Sequence, residues 1–391
     1  MEAVRSADVV IIGAGAMGSS LAYHLKAGGF PGEVLVVERE LARERSSTGL
    51  SAGGIRQQFG TPVNIRLSRA SVEFYERWQE HVAVEGEAPD IAFRQQGYLF
   101  LADARTWPVL ERRYEVQRSL GVEVRKLAPA EIPELLPEVN LEGLVGATYC
   151  PRDGFLDPYA VMRGFEGKAR ELGAGFLEDE VTGVLRSGDR VEGVRLRSGA
   201  RVEAPVVVDA AGAWSAEVAR MAGVDLPVVP VRHTIFVARS ARQLSRPLPF
   251  TILPSGLYFR EERPGTILLG KSLPEDPEAF DFTADRSPFE ELWLELAERV
   301  PLFEQLRLEH LWSGLYEMNK EDANAIIGEH PDLRGFFVIA GFSGHGMMQA
   351  PAAGRALAEL IQHGRFVTLD VSELSPARFR EGRLVLEDAV I

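Results

Sequence analysis

The sequence is poor in the features that announce a secreted, membrane or nucleic-acid-binding protein. It has one cysteine, Cys150, among 391 residues. A single thiol makes no intrachain disulfide and no cysteine metal cluster, so Cys150 reads as a small buried hydrophobe. No apolar run approaches the ~20 residues that would span a bilayer. Positive charge is in deficit: 43 Lys and Arg against 57 Asp and Glu give a formal net charge of −14. That disfavours nucleic acid and anionic membranes as partners. The first strand begins almost at once, which leaves no room for a signal peptide and makes a reducing cytoplasm the expected setting.

The remainder is ordinary globular composition, 46% apolar and 26% charged, at a length that calls for two intertwined domains. The most informative stretch is the first. Val9–Ile12 is a short β-branched run of the kind buried on both faces of a sheet. Gly13, Gly15 and Gly18 follow at the spacing G-x-G-x-x-G, and Ser19–Ala27 reads as a helix. Gly13 permits the tight turn, Gly15 lets a pyrophosphate approach the backbone, and Gly18 lets helix and strand pack closely. The helix N-terminus offers free N–H groups to phosphate. A second strand, Val34–Val37, leads into Glu38, whose carboxylate suits the two ribose hydroxyls of an adenosine. Strand, glycine turn, helix and acid together predict an adenine dinucleotide site.

Further along, Asn64–Val82 is an amphipathic helix with Leu67, Phe74, Tyr75 and Trp78 on its apolar side. Strands are expected at Phe93–Ala102, Glu178–Leu185, Arg190–Leu196, Arg201–Asp209, Val228–Val237, Gly256–Phe259, Thr266–Leu269 and Phe336–Ala340. Helices are expected at Trp107–Leu120, Leu156–Leu172, Phe289–Arg299 and about Ala350 to Gln362. The fold class is α/β: a Rossmann-like dinucleotide domain with an inserted α+β substrate domain on a mostly antiparallel sheet. The expected division gives 1–84, 150–224 and 325–391 to the first and 85–149 and 225–324 to the second.

Two more loops of small residues are expected after buried strands: Ser46–Ile55, and the glycine loop Gly341–Gly346 before the last helix. A nicotinamide enzyme needs one glycine fingerprint; three such loops suit a long FAD. The last helix would aim its positive end at the O2 edge of an isoalloxazine, worth ~0.3–2 kcal/mol toward a reduced, negative flavin.

With these segments the chain resembles the D-amino-acid-oxidase superfamily of FAD enzymes, in the branch of glycine oxidase, sarcosine oxidase and dehydrogenase, and amino-acid dehydrogenase β-subunits. The resemblance rests on VIIGAGAMGSSLAYHL, Glu38, SSTGLSAGGIRQQF, VVVDAAGAWS, WSGLYEMNKEDANAIIG and GFSGHGMMQAP. It implies that Gly13, Ala14, Gly15, Ala16, Met17 and Gly18 hold the pyrophosphate, and Glu38 with Arg39 the adenosine. Ser47, Thr48, Ala52, Gly53, Gly54 and Ile55 would run beside pyrophosphate and flavin. Val181 would meet the adenine, and Ala211, Gly212 and Trp214 the middle of the cofactor. Gly344, His345, Gly346 and Met347 would sit at the flavin edge. No cysteine or histidine stands where relatives tether the flavin, so FAD would be non-covalent.

The resemblance also assigns the catalytic side: Arg56 as clamp of a substrate carboxylate, with Tyr258, Tyr316 and His345 around the substrate. A guanidinium suits a carboxylate because it can donate bidentately. Tyr316 stands where D-amino-acid and glycine oxidases carry an arginine. Oxidases place a lysine by the flavin, for which Lys271 is the nearest candidate. The expected function is oxidation of the C–N bond of a small amino acid or N-methyl amino acid (sarcosine-, glycine- or proline-like). Hydride would pass to flavin N5 and the imine would hydrolyse, with no dedicated general base. The electron acceptor would be O2, a partner or a quinone, and a homo-oligomer or second subunit stays open. A second reading is an FAD-binding assembly or scaffold protein with little turnover. A third, a nicotinamide enzyme on a similar N-terminal fold, predicts a colourless protein.

Overall fold

Val9–Ile12 lies inside a six-stranded sheet whose order is Ile326–Glu329, Phe336–Ala340, Val206–Asp209, Val9–Ile12, Val34–Glu38 and Gly175–Glu178. The computed structural model describes residues 4–242, 244 and 246–389. All neighbours in this sheet pair in parallel except the Ile326–Glu329 edge, which is antiparallel to Phe336–Ala340. The β-branched run is buried on both faces, as its composition demands. Val9 and Ile11 join one core with the helices Ala16–Ala27, Pro62–Glu76, Pro158–Glu171 and Gly346–His363. Val10 and Ile12 join a second core under a four-stranded sheet and the helix Ser215–Ala222.

An eight-stranded sheet forms the other layer, ordered Leu306–Asn319, Val228–Ser240, Thr266–Gly270, Tyr258–Arg263, Phe250–Ile252, Tyr98–Asp103, Leu144–Cys150 and Arg125–Leu127. It is antiparallel throughout except where Phe250–Ile252 runs parallel to Tyr98–Asp103. The helix Phe289–Arg299 covers its apolar face. The other face turns toward the dinucleotide layer and carries Tyr98, Ile235, Phe250 and Tyr258.

Several expected elements shift. The span Arg201–Asp209 is two strands in different sheets, Arg201–Glu203 and Val206–Asp209. Pro205 has no N–H to continue a ladder. The helix expected over Asn64–Val82 breaks at Arg77. The last helix begins at Gly346, four residues before its apolar run, with Pro351 inside it. Asp157 is the N-cap of its helix, accepting from the Tyr159 and Ala160 N–H groups. The fourteen-residue strand Leu306–Asn319 has no counterpart among the expected strands.

Candidate active site

Two contiguous cavities run between the layers. The first lies over the glycine turn and is lined by Gly13, Gly15, Glu38, Arg39, Val181 and Trp214, together with Ala211 and Gly212. The second is lined by Arg56, Tyr98, His233, Tyr258, Tyr316 and His345, with Ala52, Gly53, Gly54, Gly344, Gly346 and Met347 in its wall. Ala16, Met17, Ser47, Thr48 and Glu317 border both.

The glycine turn is packed closely against the end of the neighbouring strand and the first helix. Gly13 has φ +103°, and a Cβ there would meet the Ala210 carbonyl oxygen at 2.5 Å. A Cβ on Gly18 would meet the Gly13 carbonyl oxygen at 1.9 Å, so Gly18 serves helix–strand contact and does not line a cavity. Ala14 is also off the wall: its N–H donates to Glu38 Oε2 (2.8 Å) and its carbonyl accepts from Ser19 Oγ and Arg43 Nη1. Ile55 is fully buried beneath the second cavity. These three expected ligand residues therefore shape the site from behind. Thr48 Oγ1 accepts the Ala16 N–H at 3.1 Å, joining the second small-residue loop to the helix start. Arg39 lies over the Trp214 ring, 3.8 Å from its centroid.

At the other end, Arg56 is almost wholly buried. Its Nη1 donates to the Gln58 carbonyl at 2.6 Å and its Nη2 to the Ala389 carbonyl, which leaves each Nη one further N–H. Burial holds its pKa down to about 10, so it stays a cation at neutral pH. The Phe59 ring lies 4.0 Å beneath it, and His345 meets the same ring edge-on at 4.8 Å. Burial and the Arg56 charge push His345 below the ordinary imidazole range, so the ring is neutral. Its Nε2 is buried with no hydrogen-bond partner. Burial raises the phenols of Tyr258 and Tyr316, which keeps both protonated. Gly344 is needed where it stands: φ is +89°, and a Cβ would meet the Tyr316 ring at 2.7 Å.

Four contributors escaped the sequence reading. His233 Nδ1 lies 3.1 Å from Asp276 Oδ2, and its ring packs on Tyr316 with centroids 4.0 Å apart. Histidine and aspartate lie on different segments, so no local spacing signals the pair. Asp153 accepts from the Gln57 N–H (3.0 Å), Gln57 Nε2 (2.9 Å) and Gln58 Nε2 (3.2 Å), fixing the backbone just after Arg56. Burial pushes its carboxyl up to about 6. Glu387 receives the N–H groups of Gly60 and Thr61 and the side chains of Thr61 and Asn64. Glu317 stands where the cavities meet. Lys271, by contrast, pairs with Glu295 at 3.1 Å and lines neither cavity.

This arrangement fits an adenine dinucleotide ending in a flavin: a glycine turn and helix N-terminus at one end, an aromatic-lined chamber at the other. The chain belongs to the DAO family of FAD-dependent oxidoreductases, whose family model matches residues 8–360, and FAD is its cofactor. It is 36% identical to FAD-dependent oxidoreductase domain-containing protein 1 of Bos taurus, over 98% of this chain and 87% of that one. It is 31% identical to the mitochondrial sarcosine dehydrogenase of Homo sapiens, over 92% of this chain but 40% of that longer protein. The crystal structure of L-proline dehydrogenase from P. horikoshii superposes with a TM-score of 0.88 at 30% identity, covering 97% of this chain and 100% of the other. No helix among the described residues is long and apolar enough to cross a membrane.

Proposed function

We propose that the protein oxidises the C–N bond of a small carboxylated amine, of the sarcosine, glycine or proline type. The observation that carries this reading is that Arg56 and His233, the latter paired with Asp276, line one cavity. The remaining N–H groups of Arg56 clamp the carboxylate, and the two main-chain carbonyls hold the guanidinium in place beforehand. His233, oriented by Asp276, takes the proton of the substrate ammonium. Tyr258 and Tyr316, kept protonated by burial, wall the chamber and offer O–H donors. Bound FAD, held without a covalent bond, would supply the acceptor for the hydride that leaves a carbon bonded to the substrate nitrogen. Water then converts the imine to a carbonyl compound and a free amine.

Lys271 is tied to Glu295 away from the chamber, and no lysine lines it among the described residues. A dehydrogenase passing electrons to a partner or quinone is therefore favoured over an oxidase. The test is an anaerobic absorbance titration of the holoprotein with sarcosine, glycine, proline and relatives. Bleaching of the flavin bands by one of them, with slow return in air, supports the reading. Bands that no carboxylated amine bleaches would overturn it.

A further inference from the structure

We propose that Glu317 is the anchor for the ribityl polyol of FAD. This rests on the cofactor and not on which amine is oxidised. Among the described residues five border both cavities, and Glu317 is the one ionisable group of the five. FAD runs from adenosine through pyrophosphate and ribityl to isoalloxazine. With the adenosine end in the Glu38 cavity and the ring in the Tyr258 cavity, the polyol must cross the waist between them.

The carboxylate is held for such a role. Gly341 N–H donates to Oε2 at 3.0 Å, and the Glu317 carbonyl accepts the Ser343 N–H at 3.1 Å. A Cβ on Gly212 would lie 3.8 Å from Oε2, and one on Gly346 would lie 3.7 Å from Oε1. The group thus stands between the two glycine loops that flank the cofactor path. An ionised carboxylate has about four acceptor positions, and the main-chain N–H groups of Gly341 and Phe342 that face it leave about half of them unused. Burial, with the charge of Asp209 added, pushes the carboxyl up to about 7. A chain of hydroxyls is the chemistry that would complete it, since each hydroxyl can donate to an oxygen and lift the desolvation cost.

The alternative role is packing: Glu317 would merely pin the Gly341–Gly346 loop. ADP separates the two, because it carries the adenosine and pyrophosphate of FAD but no ribityl chain. The apoproteins of wild type, Glu317→Leu and Glu317→Gln would be titrated with FAD by fluorescence quenching and with ADP by calorimetry. The expected result for Glu317→Leu is a loss of FAD affinity of about tenfold or more, with ADP affinity within twofold of wild type. Glu317→Gln, which keeps the shape and one acceptor oxygen, should fall between. FAD affinity unchanged in both variants overturns the proposal. So does a parallel loss of FAD and ADP affinity, which would make Glu317 a loop-packing residue. Retained ADP binding also shows that the variants fold.

Discussion

His233 Nδ1 lies 3.1 Å from Asp276 Oδ2, at the wall of the chamber that also holds Arg56. If this pair takes the substrate's proton, His233→Gln should slow flavin bleaching by roughly 100-fold at neutral pH, the low end for a general base. The loss should shrink as pH rises and the amine arrives unprotonated. Asp276→Asn should show the same pH pattern with a smaller loss. Stopped-flow reduction rates from pH 6 to 10 give the answer, and a variant whose pH profile parallels wild type removes His233 from proton transfer.

Arg56 should divide substrates by their carboxylate. Arg56→Lys keeps the charge but loses the planar fork and its two carbonyl partners. It is expected to raise KM for a carboxylated amine about tenfold or more, with little change for the decarboxylated analogue. Steady-state kinetics on such a substrate pair is the measurement, and equal effects on both would remove the clamp.

The dinucleotide half of the site was legible because its signals are local. The glycine spacing, the β-branched run and Glu38 lie within thirty residues, Val9 to Glu38, and each acts through backbone geometry that spacing alone specifies. The substrate half was legible only in single residues. Arg56, Tyr258, Tyr316 and His345 all line the chamber, but their partners come from remote segments. The Leu306–Asn319 strand escaped notice because its alternation is weak: the consecutive residues Gly314 to Glu317 all border the chamber, and polar Ser313 bonds Thr234 instead of packing apolar. Ala14, Gly18 and Ile55 sit in the right motifs yet face away from the cavities, because a motif fixes a turn and not the direction of every residue in it.

The stretch between Lys271 and Pro288 lies along the two long strands with no helix or strand of its own. Arg232 pairs with Asp281 at 2.5 Å and Lys320 with Glu278 at 2.7 Å. Its Phe280 and Phe282 stack on Trp214, with centroids 5.2 and 6.4 Å away. Trp214 lines the dinucleotide cavity, so the stack should slow cofactor loss. Phe280→Ala with Phe282→Ala is expected to speed FAD release by about tenfold, read as the recovery of free-flavin fluorescence after dilution. Release at the wild-type rate would reduce the stack to surface packing.

Glu387 links acid stability to the site. Burial opposes its charge, but hydrogen bonds from Asn64, Gly60 and Thr61 outweigh that and hold its carboxyl well below the usual glutamate range. A depressed acid stabilises the fold above its ordinary pKa of about 4.3, and the contribution fades as pH falls below that value. Glu387→Gln should lower Tm at pH 7 by about 4 °C or more. The gap to wild type should begin to narrow below about pH 4, where the unfolded chain takes up the proton, and close only toward pH 2, where the folded protein takes it up too. A gap that stays constant with pH would mean the charge itself contributes nothing.

Arg56 donates to the carbonyl of a residue 333 positions later, and Ser20, on the first helix, donates to the Ala350 carbonyl 330 positions later. The ribosome therefore delivers the dinucleotide fingerprint more than 300 residues before the contacts that complete it. Until then the first helix has cover from the helix Pro158–Glu171 but not from Gly346–His363, and the guanidinium destined for the substrate has the Gln58 carbonyl but not that of Ala389. Cofactor capture during synthesis would meet half a binding site, so loading with FAD belongs to the interval after these late residues have emerged.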